Sequence, residues 1–113
     1  MLPMADPRVL DLRNLDWDEE APGVRARHTG LYGVRWAIVE YAPDAGRPEW
    51  CETAHVGYVL SGAIQYEFSD GREPLAAAAG QGFTLPPGAA HRGRNRGAEP
   101  ATLLVVDEPY LEP

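Results

Sequence analysis

Residues 80–95 set a histidine behind a tightly punctuated turn, with the spacing G-x5-P-x-G-x2-H-x3-N running without a gap from Gly80 to Asn95. Gly80 and Gly88 permit backbone conformations that a side chain would oppose, and the Pro86-Pro87-Gly88 corner ends one strand before a second begins near Ala90. Such a turn aims His91, one of only three histidines in the chain, as a candidate metal-facing residue.

This spacing resembles the second signature of the cupin superfamily and matches it at all five defining positions. The segment Tyr58-Val59-Leu60-Ser61-Gly62 is similar to the close of the first cupin signature. Familiar cupins bind a divalent metal through two histidines and a glutamate of the first signature and the histidine of the second. Counting back from Gly62, the resemblance assigns those four positions to Glu49, Cys51, His55 and His91. The frame is kept while the residue types differ at three of the four. Pro43 stands where the family opens its first signature with glycine, and Gly46 is the nearest replacement. The likeness spans about residues 34–107. It implies an all-β, double-stranded β-helix (jelly-roll) barrel, in a single domain 1–113 with an N-terminal strand and loop extension over 1–33.

Side-chain parity gives those positions a chemistry. Residues two apart on a strand share a face, so a regular strand turns Glu49 and Cys51 inward together, with His55 joining them four residues on. Two imidazoles suit zinc, iron, copper or nickel; Glu49 adds a hard oxygen, and a Cys51 thiolate tilts preference toward softer ions. His55, His91 and Glu49 would make a carboxylate-type site for iron or manganese, whereas Cys51 in place of Glu49 favours zinc. The expected cofactor is thus one divalent ion, Zn, Fe, Mn or Ni, and the sequence leaves the choice open.

Composition excludes several alternatives. A formal charge of −7 with no lysine among the ten basic residues argues against nucleic acid, whose phosphates need a basic footprint, and rules out a lysine Schiff base. A single cysteine forms no intrachain disulfide. Residues 1–10 contain Pro3, Asp6 and Pro7 and lack the apolar core of a signal peptide, and no run reaches membrane-spanning length. The expected location is the cytoplasm, without a membrane partner.

Short strands organise the rest. Val34–Tyr41 is rich in β-branched and aromatic residues, Ala63–Phe68 alternates with Ile64, Tyr66 and Phe68 on one face, and 101–106 forms a late apolar strand. Ser61-Gly62 and Asp70-Gly71 supply turns. Pro74 and Gly80 bracket too few residues for a helix over 76–79, which reads as strand and turn. The acidic stretch 16–22 reads as a solvated loop.

Other residues carry less. Trp36, Trp50, Tyr58, Tyr66 and Phe83 either line a small cavity or pack the core. Arg92, Arg94 and Arg96 alternate with parity opposite to His91, which puts them on an outer face. Glu52 falls on the strand face opposite Cys51, His28 reads as a surface or interface residue, and Asn95 as shaping its turn. Small cupins pair through a strand edge or sheet face, so the resemblance also implies a homodimer. No serine-histidine-acid pattern, phosphate loop or dinucleotide fingerprint competes. Two function classes follow. One is a metal-dependent enzyme on a small molecule, an oxygenase, isomerase or lyase. The other is a non-catalytic module that binds a sugar or organic acid beside a degenerate metal site.

Overall fold

The computed structural model describes residues 7–107; of the N-terminal decapeptide discussed above, residues 1–6 lie outside the described residues, as do 108–113. Strand is the dominant element because the apolar residues recur at every second position. In β9 (Ala101–Asp107) alternate side chains are buried from Ala101 through Leu103 and Val105 to Asp107. The other strands are β1 (Asp18–Ala21), β2 (Val24–Leu31), β3 (Val34–Tyr41), β4 (His55–Ser61), β5 (Ala63–Phe68), β6 (Leu75–Ala78), β7 (Gly82–Leu85) and β8 (His91–Arg94). Every ladder is antiparallel. No helix occurs among the described residues, and so none long and apolar enough to cross a membrane.

The strands form a six-stranded sheet, β1-β2-β3-β9-β4-β7, and a three-stranded sheet, β6-β5-β8. Their inner faces supply the core, with Val24, Tyr41, Val59, Leu85 and Leu103 from the large sheet and Ile64 and Tyr66 from the small one. At roughly 1.5–3 kcal/mol for each large apolar side chain fully buried, this interdigitated layer is the main stabilising term. The arrangement fits a jelly roll, but among the described residues no continuous ladder joins the two sheets, so they face each other without the closure expected of the barrel.

Two local expectations are corrected. The stretch 16–22 is not a loop throughout, because Asp18–Ala21 pairs with β2 as an edge strand whose first three residues stay exposed. Pairing is decided by the partner strand, and acidic residues are tolerated where side chains face water. The segment before β4 is also not the regular strand that parity assumed. In place of a continuous ladder it makes two isolated bridges to β8, at Gly46–Arg94 and Cys51–His91. Five residue steps on one side span three on the other, so the surplus forms a bend around Pro48 and Glu49.

Candidate metal centre

The two histidines arrive from different sheets. His55 opens β4 in the large sheet and His91 opens β8 in the small one. Gly88, with φ 82°, turns the chain between β7 and β8, and Leu85 at the end of β7 pairs with His55. The sequence element that shapes His91 therefore also anchors the strand that carries His55. Cys51 is held by a reciprocal pair of backbone hydrogen bonds with His91, N to O at 2.8 and 2.9 Å. The bridge sets its side chain beside the imidazole.

One donor atom from each of Cys51, His55 and His91 lies within 4.8 Å of the other two. Cys51 Sγ is 3.6 Å from His55 Nε2, and the two imidazole rings meet edge to face at 5.1 Å. Both rings are anchored through Nδ1. His91 Nδ1 donates to the Ala89 carbonyl at 3.1 Å, and His55 Nδ1 donates to the Asp107 carboxylate. With Nδ1 held by these oxygens, the neutral form of each ring turns its Nε2 lone pair to the shared space, the arrangement that outer oxygens impose on metal-binding histidines. His91 is 2% exposed and its Nε2 has no hydrogen-bond partner. A buried nitrogen left without a partner is costly unless something fills that position.

The electrostatics agree. Hydrogen bonding to His55, the largest cause, draws the Cys51 thiol down to about 5. Burial pulls His55 down, but the Asp107 carboxylate and Cys51 outweigh it and raise the imidazole to about 9. At neutral pH, without metal, the pair is a thiolate beside an imidazolium. An anionic sulfur, two oriented imidazoles and one unpartnered buried nitrogen fit a divalent ion of borderline softness.

Glu49 lies elsewhere. It is exposed at the Pro48–Glu49 bend, outside the converging donor group, although it borders the same cavity. Glu52 is exposed as parity predicted. His28 is exposed on β2, with Nε2 4.0 Å from Asp18. Sequence reasoning missed Asp107, which is 8% exposed and also lies 3.4 Å from Arg35. Its signal was parity: Asp107 continues the buried Leu103, Val105 series at the end of an apolar strand.

The donors face a cavity of about 660 Å³ between the sheets. Its wall includes Tyr41, Tyr66, Arg47 and Glu20. Gly93 keeps the floor open, since a Cβ there would come within 2.9 Å of the Tyr66 ring and 3.0 Å of the Tyr41 hydroxyl. Arg47 Nε donates to Tyr41 Oη at 3.0 Å and Nη2 to Glu20 at 2.7 Å. Burial keeps both tyrosines protonated, Tyr66 most strongly. Tyr66 packs edge-on to His91 at 5.8 Å. Of the other aromatics, Phe83 packs the core, whereas Tyr58 and Trp36 sit on the outer face of the large sheet. Trp50 stacks under the Arg92 guanidinium, 4.1 Å from the ring centroid, and Arg92 reaches Glu67 at 3.1 Å.

Residues 37–107 match the Cupin domain family. No functionally curated protein matches the sequence. Among solved structures, KdgF from Halomonas sp. is 18% identical, with TM-score 0.71 over 90% of this chain and 94% of that one. The polyketide cyclase RemF from Streptomyces resistomycificus is 18% identical, with TM-score 0.74 over 90% and 79%. A sugar phosphate isomerase of the cupin superfamily from Silicibacter pomeroyi is 23% identical, with TM-score 0.69 over 88% and 74%. At these identities the likeness is one of fold.

Proposed function

The chain belongs to the cupin domain family, and from that premise we propose that it is a metal-dependent enzyme acting on a small oxygen-bearing molecule bound between its sheets. Cys51, His55 and His91 would hold one divalent ion, with zinc the best fit to a sulfur and two imidazoles. The observation that carries this reading is the convergence of those three donors on a cavity, with His91 Nε2 buried and unpartnered. Bound there, such an ion would act as a Lewis acid toward a substrate carbonyl or hydroxyl oxygen.

The remaining roles belong to the chain itself. Asp107 and the Ala89 carbonyl fix the two imidazoles, so little reorganisation is needed when a ligand arrives. Arg47 spends Nε on Tyr41 and Nη2 on Glu20, which leaves Nη1 to donate to a substrate oxygen. Glu20 offsets its charge and favours a neutral polar group over a free anion. Tyr66, kept as the phenol by burial, would offer a hydrogen bond at the cavity wall. Acid–base chemistry of the isomerase or lyase kind suits this set. The sugar phosphate isomerase and the polyketide cyclase among the fold neighbours are consistent with it.

Elemental analysis of untagged protein after metal repletion tests the proposal. About one ion per chain is expected, falling to background in His55→Ala and in His91→Ala. Metal-free wild type, or full retention in both variants, would refute it.

A further inference from the structure

The chain that precedes β4 runs along one edge of β8, and that edge is only partly hydrogen-bonded. Arg47 N donates to Gly93 O at 3.0 Å, and Cys51 exchanges two backbone hydrogen bonds with His91. Between those points, among the described residues, no backbone–backbone hydrogen bond holds Pro48, Glu49 or Trp50. All three are exposed. A strap so tethered opens easily, since segments with few internal contacts lie at the low end of local stability. Yet it leads into Cys51, whose sulfur must stay beside His55 to serve as a donor.

Arg92 supplies what the missing ladder does not. It follows His91 on β8, so its side chain faces the opposite way. Its Nη1 donates to the Pro48 carbonyl at 3.0 Å, and its guanidinium lies 4.1 Å from the centroid of the Trp50 ring. Its Nη2 is 3.1 Å from Glu67, the residue directly opposite on β5. One planar fork thus grips the strap twice and β5 once, a combination that needs the shape of a guanidinium and not its charge alone. Exposed ion pairs add little to global stability, so the consequence is local. Arg92 fixes the residues immediately before Cys51. The two imidazoles have no such dependence, because each is anchored by its own oxygen.

We propose, on the metal reading of this site, that Arg92 is a positioning residue that keeps Cys51 in the donor set. It thereby determines whether the site offers an ion sulfur and two imidazoles or the imidazoles alone. β8 then serves the site from both faces: His91 is a ligand on the inner one, and Arg92 secures the sulfur from the outer one.

Two measurements separate this role from the metal reading. In metal-free protein, amide hydrogen exchange at Cys51 is expected to quicken about tenfold or more in Arg92→Ala and in Trp50→Ala, while β9 amides keep their protection and Trp50→Phe stays near wild type. In cobalt-loaded protein, wild type is expected to show thiolate-to-cobalt charge transfer in the near ultraviolet. Arg92→Ala should lose most of that band while still binding cobalt at saturation, and Arg92→Lys should recover only part of it. A wild type that binds no cobalt would overturn the metal reading. Exchange at Cys51 that is equal in wild type and Arg92→Ala, or an undiminished charge-transfer band in that variant, would overturn the role of Arg92.

Discussion

Asp107, the last residue of β9, accepts a hydrogen bond from Nδ1 of His55, the first residue of β4, and thereby turns Nε2 of that ring toward Cys51. The strand pair β4–β9 makes the meeting possible, since Val56 pairs with Val106 one step away. Removing the carboxylate should loosen the imidazole without removing a donor. Asp107→Asn is expected to weaken metal affinity by about 10–100-fold and to spare stoichiometry at saturating metal. Competition titration with a chromophoric chelator reads the change.

Metal binding should release protons in a pattern set by the thiolate–imidazolium pair. With Cys51 at about 5 and His55 at about 9, the metal-free pair holds one proton between those values, and it sits on His55. Binding at pH 7 to 8 is therefore expected to release about one proton, and affinity to rise roughly tenfold per pH unit until it levels above pH 9. Below pH 5 two protons must leave. Calorimetry in buffers of different ionisation enthalpy counts them.

The same pair sets the acid stability of the metal-free protein. The depressed Cys51 contributes stability that is lost as pH falls from 9 through 5; the raised His55 contributes stability that is lost as pH rises from 6.5 through 9. From 6.5 to 9 the two slopes cancel. Between 6.5 and 5 only the Cys51 slope remains, so stability should fall on acidification in that window. Urea midpoints of the metal-free protein measure it, and Cys51→Ser should flatten the curve there.

Glu49 and Cys51 should separate cleanly. Glu49→Ala is expected to leave metal affinity within about twofold, because its carboxylate stands outside the donor group. Cys51→Ala should reduce affinity by more than a hundredfold, the loss of a charged donor from a three-residue set. Alkylation of Cys51 in wild type should slow when metal is added. Equal loss of affinity in both variants would place the carboxylate in the site instead.

Asn95 is a structural counterpart to His91 in the same motif. It is fully buried; its Nδ2 donates toward the carbonyls of Tyr41, Ala42 and Glu99, and its Oδ1 accepts from Gly97 N. Asn95→Ala leaves several of these groups unpaired and is expected to destabilise by about 2–4 kcal/mol, read from denaturant unfolding. Metal stoichiometry of the folded fraction should not change.

Much of this was legible before any tertiary contact. Alternation in Val34–Tyr41, Ala63–Phe68 and the late strand fixed their character, because a period of two admits only one element. The glycine–proline turn marked where β8 begins and aimed His91, since turn chemistry is local. The short spacing from Cys51 to His55 kept those residues close. Tertiary structure decided what spacing could not. Parity counted Glu49 inward on the assumption of an unbroken strand, but the bend opposite β8 takes up two extra residues and leaves it exposed. The acidic run 18–21 became an edge strand because β2 offered it a ladder. Asp107 reached His55, 52 residues away in sequence, through strand pairing alone. Residue type and local turns set which side chains are able to do chemistry here. Register between strands, a long-range property with no local code, determined which of them meet.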